Sequence, residues 1–313
     1  MKAIVHDAYG SPDLLEFRDI DMPRPKDNEV LVRVRAAGVH VGDCFGVRGE
    51  PRPIRLATGL FKPRHRVPGH DVAGHVEAVG RDVTRFQPGD EVFGAGTGTC
   101  AEYTAVRADR LAPKPDGLTL EQAAALPTSA VPALRVVRDV GKVRPGQRVL
   151  INGAAGGVGH FAVQIAASYG AEVTGVCGPK NVDMVRSLGA QHVIDYTQED
   201  FTAGERRYDL ILDNVENRSL AERRRVLTPT GTLILNCGTG PMIKPLLQGV
   251  FIRQKVRRFV AFPNDRDLAV LTELVESGKL VPVIGQTYPL AETAAALRHI
   301  ETGHARGKVV VTL

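Results

Sequence analysis

The segment running from Val149 through Asn152 and Gly153 to Gly159 constrains this chain more than any other. An apolar β-branched run ends in a glycine-rich turn, a helix-period pattern carries Val163, Ile165 and Ala166, and a second apolar run follows from Val173 to Cys177. That order predicts strand, turn, helix, strand. Gly153 suits the tight turn, because glycine reaches backbone angles closed to other residues. Gly156, helped by Gly157, lets the main chain approach a ligand closely, and Gly159 lets the helix pack on the sheet. The helix start offers free N–H groups and the positive end of its dipole to a pyrophosphate. Ala155, Gly156, Gly157, Val158 and Gly159 are therefore candidate dinucleotide-binding residues. Ala154 stands where the G-x-G-x-x-G pattern has its first glycine, so the flanking strands carry as much of this reading as the glycines do. An ordinary glycine-rich turn of an α/β protein is the alternative.

The end of the second strand decides which dinucleotide is favoured, since an Asp or Glu there would bind the ribose 2′-hydroxyl of NAD. Here the text is Val176-Cys177-Gly178-Pro179-Lys180-Asn181, without a carboxylate. The Lys180 ammonium could pair with a 2′-phosphate, which favours NADPH over NADH. Asp183 suits the first turn of the next helix, where it complements the dipole. Tyr196, at the end of a third strand, could stack on adenine, bond the same phosphate, or simply be a half-buried strand tyrosine.

A chain of 313 residues, 43% of them apolar and 24% charged, can bury a full core and is expected to form two domains. It has no apolar run of 18 or more residues, and MKAIVHDAYG is not a basic segment followed by an apolar one, so no membrane span or secretory signal is expected and a cytoplasmic location is. Cys44, Cys100, Cys177 and Cys237 lie far apart without a C-x-x-C pair and should be reduced. The formal charge of +5 is spread over the chain. Its densest basic group, Arg253, Lys255, Arg257 and Arg258, has one aromatic neighbour on its C-terminal side, Phe259, and no interleaved aromatics, which argues against a nucleic-acid partner.

Organisation changes along the chain. Up to about Pro115 short strands alternate with turns, as at Ala3–Val5, Val30–Val34, His75–Val79, Glu91–Phe93 and Tyr103–Val106. From Leu120 the pattern turns helical, and from Val149 strands and helices alternate through Leu210–Leu212 and Thr232–Leu235, which predicts a parallel sheet covered on both faces. After about Lys279 the first style returns, with Val281–Ile284 and Lys308–Thr312. The expected class is α/β, a Rossmann doubly wound parallel sheet (residues 119–278) inserted in a β-rich domain (1–118 and 279–313).

Several segments together resemble the zinc-independent branch of the medium-chain dehydrogenase/reductase superfamily, the quinone oxidoreductases of the zeta-crystallin type. They are Ala36-Ala37-Gly38-Val39-His40-x-x-Asp43, Pro68-Gly69-His70-Asp71-Val72-Ala73-Gly74, Phe86-x-Pro88-Gly89-Asp90-x-Val92-Phe93-Gly94, Ala101-Glu102-Tyr103, Ala124-Ala125-Leu126-Pro127, the glycine turn, and His304-Ala305-Arg306-Gly307-Lys308. The resemblance covers nearly the whole length. It implies a GroES-like substrate domain, a Rossmann domain, a cofactor in the cleft between them, and a homodimer.

Zinc-dependent alcohol dehydrogenases share this ancestry. The pattern aligns His40 with a first ligand position and His70-Asp71 with a second, but the third falls near Leu126-Pro127-Thr128-Ser129, which offers no Cys, His or carboxylate, and the cysteine-rich structural lobe is missing. No metal site is expected, although His40, His70, Asp71 and Cys44 are the residues from which one would be built. Without zinc, the resemblance implies hydride transfer from NADPH to an electrophilic acceptor, a small-molecule quinone or enone. An enoyl-thioester reductase is an alternative, with Arg52, Arg55, Lys62, Arg64 and Arg66 as attractors of a phosphorylated carrier; a zinc-dependent alcohol dehydrogenase and a non-enzymatic NADPH-binding protein are others.

His40 stands where relatives have Asn beside the nicotinamide. It could donate a hydrogen bond or proton to a developing oxyanion, or be a neutral histidine satisfied by backbone. Asp43 is expected to cap the following turn, and His70 with Asp71 to hold their loop. The resemblance adds Asn214, Leu235 and Cys237 at strand ends, Phe259 near the nicotinamide, and His304, Ala305 and Arg306 as a segment reaching the cofactor. Gly178 departs from it, replacing a phosphate-binding Ser of close relatives and leaving Lys180 and Tyr196 more of the 2′-phosphate to recognise.

Overall fold

A computed structural model of the chain describes residues 1–236 and 253–313. Cys237, one of the expected cofactor contacts, lies outside the described residues.

The chain begins with β1 (Lys2–Val5), β2 (Glu16–Asp19), β3 (Glu29–Val39), β4 (Asp71–Val79), β5 (Glu91–Ala95), β6 (Tyr103–Arg107) and β7 (Leu111–Pro113). β1 and β2 form an antiparallel pair, and β3 pairs antiparallel with both β4 and β6. Period-two patterning builds β3: Val30, Val32 and Val34 enter a core with Val72, Val76, Phe86 and Val92, while Arg33 and Arg35 are exposed. Register shifts after Leu31 and Val34 bend this long strand. Helices α1 (Val41–Arg48) and α2 (Arg55–Thr58) lie between β3 and β4, and α3 (Leu120–Ala124) starts at a Thr119–Gln122 capping box.

After α4 (Pro127–Arg135), strands and helices alternate: β8 (Arg148–Asn152), α5 (Gly159–Ser168), β9 (Glu172–Cys177), α6 (Val182–Ser187), β10 (His192–Asp195), β11 (Tyr208–Asp213), α7 (Leu220–Arg225), β12 (Leu227–Leu235) and β13 (Lys255–Arg258). The six strands are all parallel, in the order β10-β9-β8-β11-β12-β13, and the order reverses between β8 and β11. This is the dinucleotide-binding Rossmann order, which puts a ligand crevice at the carboxyl ends of β8 and β11. β9 is buried along nearly its whole length, as a strand covered on both faces must be.

The chain closes with α8 (Asp265–Glu276), β14 (Ile284–Pro289), α9 (Thr293–Glu301) and β15 (Lys308–Thr312). β15 runs antiparallel to β3 and parallel to β14, so the last strand belongs to the sheet of the first ones. The strand expected from Val281 begins at Ile284 instead, past Pro282, which has no N–H to give a ladder.

Two compact units result, Met1–Val131 with Pro263–Leu313, and Pro132–Phe262. The junctions lie away from residues 118 and 279 because two helices belong to the β-rich unit. α3 lies on β3 and β4, burying Ala123 and Ala124, and α8 lies on β7, burying Leu268 and Leu271. No helix among the described residues is long and apolar enough to cross a membrane.

Candidate functional site

In the parallel unit the chain leaves β8 through Gly153, whose φ of 76° is left-handed. The N–H groups of Gly153 and Ala154 both reach the Val176 carbonyl, at 3.1 and 2.9 Å, which ties the turn to β9. A Cβ on Gly159 would stand 2.0 Å from the Gly153 carbonyl oxygen, so the helix can start this close only with glycine there. A Cβ on Gly156 would meet nothing nearer than that same oxygen at 3.4 Å, which leaves open room over the turn. The N–H groups of Ala155, Gly157, Val158 and Gly159 have no partner among the described residues. Free donors around open space at a helix start fit a pyrophosphate, so a dinucleotide fits these residues.

The neighbouring strand ends are stitched together. Asn214, just past β11, gives both its N–H (3.2 Å) and its Nδ2 (3.0 Å) to the Asn152 carbonyl, and its Oδ1 accepts from Asn236 Nδ2 at 2.9 Å. Asn152 Nδ2 donates to Asp213 Oδ1 at 2.9 Å, and Arg223 Nη1 reaches Asp213 Oδ2 at 2.8 Å, with both ionised groups buried. The Leu235 side chain lies in the core beneath, and its carbonyl accepts from Phe259 N–H at 3.2 Å. Asn214 and Phe259 thus stand at the carboxyl edge of the sheet, while Leu235 can offer a ligand only its backbone.

Gly178 and Tyr196 come together at the ends of β9 and β10. Tyr196 N–H bonds the Cys177 carbonyl at 3.2 Å, and a Cβ on Gly178 would be 3.1 Å from the Tyr196 hydroxyl. The tyrosine is 49% exposed, and Lys180 projects from the short turn Pro179–Asn181. Asp195, paired with Cys177 across the sheet, spends one carboxylate oxygen on the N–H and hydroxyl of Thr197, at 3.0 and 2.8 Å.

In the β-rich unit, β3 delivers His40 to the start of α1. Asp43, one turn on, accepts the His40 N–H at 2.8 Å and the His40 Nδ1 at 2.6 Å on the same oxygen, Oδ2. Its other oxygen, Oδ1, is 2.6 Å from His70 Nδ1. The two rings stand edge to face, 5.6 Å apart. Asp43 is fully buried; burial pushes its carboxyl up, but the two imidazoles outweigh this and hold it far below the carboxylate range. Burial likewise pushes His70 down, and Asp43, then Asp71, reverse the sign, so its pKa is raised. His70 also lines a small pocket of about 70 Å³ with His6, Val47, His65 and Thr97.

The His304–Arg306 segment lies between α9 and β15. His304 is exposed with its Nδ1 on the Thr302 carbonyl at 2.6 Å, Ala305 packs on the core near β15, and Arg306 is exposed.

Zinc was tested against the residues present. His40, Asp43 and His70 form the one group among the described residues whose donor atoms lie close enough to share an ion. Their 2.6 Å contacts are hydrogen bonds, shorter than the roughly 3.3 Å that tetrahedral ligands about 2.0–2.1 Å from zinc keep between them. At the third position Thr128 gives its N–H (2.8 Å) and hydroxyl (2.7 Å) to Asp71. A cation is already present there: Lys308 Nζ lies 3.0 Å from both Asp71 Oδ2 and Ser129 Oγ. These residues do not fit a catalytic zinc. Sequence reasoning saw Asp43 as a cap but not as a shared partner of two imidazoles, and it gave Lys308 no role.

Comparison with known proteins agrees with this architecture. Residues 26–116 match the family model for the alcohol dehydrogenase GroES-like domain, and residues 188–311 match the one for zinc-binding dehydrogenases. The chain is 35% identical to the mitochondrial NAD(P)H oxidoreductase RTN4IP1 of Mus musculus, over 100% of this chain and 89% of that protein. It is 34% identical to the chloroplastic NADPH-dependent alkenal/one oxidoreductase of Arabidopsis thaliana, over 99% and 79% respectively. Among solved structures, the quinone oxidoreductase from Coxiella burnetii superposes with a TM-score of 0.88 at 30% identity, over 100% of this chain and 99% of that one.

Proposed function

Because the chain belongs to the quinone oxidoreductase branch of the medium-chain dehydrogenase/reductase superfamily, we propose that it is an NADPH-dependent, zinc-independent reductase of quinones or α,β-unsaturated carbonyls, acting as a homodimer. The observation that carries this reading is the turn from Ala155 to Gly159, with its unpartnered N–H groups facing open room at the switch point of the sheet.

Ala155, Gly157, Val158 and Gly159 would hold the pyrophosphate of NADPH through backbone donors, with Gly156 leaving room for it. Lys180 and the Tyr196 hydroxyl would hold its 2′-phosphate, with Gly178 leaving them room, and Asn214 and Phe259 would line the crevice. The bound cofactor supplies a hydride. His40 would then serve the acceptor: with its Nδ1–H held by the Asp43 carboxylate, a ring that has also taken up a solvent proton at Nε2 would give that proton to the oxyanion of the reduced acceptor and be left neutral. Asp71, Lys308, Thr128 and Ser129 keep the neighbouring loop ends together with no metal needed.

The test is cofactor consumption against a panel of a simple quinone, a short enone and an enoyl-coenzyme-A thioester, with NADPH and NADH in parallel and with chelator present. Faster oxidation of NADPH with the quinone or enone is expected. Turnover confined to the thioester, or only after zinc is added, would overturn the reading.

A further inference from the structure

The geometry points to Asp43 and Gly42 as a pair of positioning residues that fix the His40 ring with Nδ1 protonated and Nε2 presented to the acceptor, a role that rests on the proton-donor reading of His40. Three observations carry it. First, Asp43 holds His40 twice through one oxygen, by the backbone N–H at 2.8 Å and by Nδ1 at 2.6 Å, so the ring and its own main chain are anchored at a single atom. Second, the other oxygen is engaged by His70 Nδ1 at 2.6 Å, so the carboxylate cannot swing without breaking a contact on its far side. Third, the ring lies over residue 42: a Cβ there would be 2.8 Å from His40 Nε2, 3.2 Å from Cε1 and 3.4 Å from Cδ2. Gly42 leaves the space that the ring occupies.

The chemistry follows from the acceptor character of an ionised carboxylate. Asp43 can only accept, so each imidazole that meets it must turn an Nδ1–H toward it, whatever the state of Nε2. An amide partner, with one accepting oxygen and a donating nitrogen, would not impose the same orientation on two rings at once. This is the logic by which a hydrogen bond at one ring nitrogen decides which nitrogen does the chemistry. His70 is then the residue that keeps Asp43 in place, not a second donor to the acceptor.

Gly42→Ala separates this role from a structural one. Residue 42 is inside α1, where alanine is favoured over glycine by up to about 1 kcal/mol, which offsets part of what moving the ring off Asp43 costs, so the variant should still fold. Its methyl group nonetheless takes the place of the ring edge. We expect a single cooperative melting transition, an unchanged KM for NADPH, and a kcat lower by about tenfold or more.

A second measurement is independent of activity. In the ¹⁵N-histidine-labelled full chain, two-bond ring correlations assigned with His40→Gln and His70→Gln should show a proton on Nδ1 of both residues. In Asp43→Asn at least one ring should lose it, because a carboxamide has one accepting oxygen and donates from its nitrogen. Should Asp43→Asn not fold, His70→Gln, whose amide can still donate to Asp43 Oδ1, is expected to keep most of kcat, and His70→Leu to lose about tenfold.

A bare Nδ1 on His40, or a Gly42→Ala enzyme with full kcat, overturns the positioning role while leaving His40 itself in question only if His40→Ala is also active. Full turnover in His40→Ala with both Nδ1 atoms protonated overturns the proton-donor reading, and the positioning role falls with it.

Discussion

Lys308 Nζ lies 3.0 Å from Asp71 Oδ2, and the two side chains are only 1% and 0% exposed. The lysine comes from the last strand and the aspartate from the start of β4, so the contact joins parts of one unit that are remote in sequence. Breaking a buried pair strands a charge, which costs far more than the pair itself contributes. Lys308→Met is expected to cost about 3–5 kcal/mol in urea unfolding. A loss under about 1 kcal/mol would show that the remaining donors, Thr128 and water, satisfy Asp71 alone.

Stability should also respond to pH through His70. Its pKa is raised above 6.5, so the stabilisation it brings is fully present below about 6.5 and is lost as pH rises through the higher folded value. Asp43 has the opposite sign: its contribution is present above 3.8 and fades only as pH falls through its depressed folded value. The stability difference between the parent and His70→Gln should therefore be larger at about pH 6 than at about pH 9. A difference that grows with pH would contradict the ion-pair geometry.

The cofactor preference turns on Lys180 and Tyr196. Lys180→Ala is expected to raise KM for NADPH about tenfold, the scale of one charge-assisted hydrogen bond, and to leave KM for NADH unchanged. Tyr196→Phe should do the same more weakly. Equal losses with both nucleotides would mean that these residues do not meet the 2′-phosphate.

Gly159→Ala should be among the most damaging single-methyl changes in the chain. Its Cβ would sit 2.0 Å from a backbone oxygen of the glycine turn, where no side chain can move aside. Overpacking of about 1–3 kcal/mol and loss of nucleotide binding are expected, read by thermal melting and by quenching of NADPH fluorescence. Retained binding would show that the turn can open without losing its donors.

Metal removal should change nothing. Prolonged dialysis against a strong chelator is expected to leave turnover intact and the protein without stoichiometric zinc, because Asp71 is already taken up by Lys308 and Thr128 and the third ligand position holds no Cys, His or carboxylate. Activity that disappears on chelation and returns with zinc would reverse that assignment.

Much of the parallel unit was legible because its signals are local. Glycine spacing at 153–159, the apolar runs of β8 and β9 and the missing carboxylate after Cys177 are all readable within short windows. The apolar run Val30–Val34 likewise pointed to β3, where Arg33 and Arg35 are exposed between buried neighbours. Contacts between distant segments were not legible. The H-x-x-D spacing of His40 and Asp43 suggests a cap, but nothing in it reports that His70, 27 residues on, takes the other carboxylate oxygen. Lys308 stands at the start of the strand expected over Lys308–Thr312, but that its side chain turns inward follows only from β15 lying beside β3. The unit junctions moved for the same reason, since α3 and α8 are assigned by what their apolar faces cover.

That β15 completes the sheet of β3 has a consequence for how a ribosome makes this molecule. The six-stranded sheet has all its strands once Lys255–Arg258 has emerged, while Val39, Gly38, Ala37 and Ala36 wait with an open edge for Val309–Thr312. The middle of the polypeptide can thus mature before its beginning, and a nascent chain stalled just short of those last residues would expose a strand edge to any chaperone or stray partner within reach.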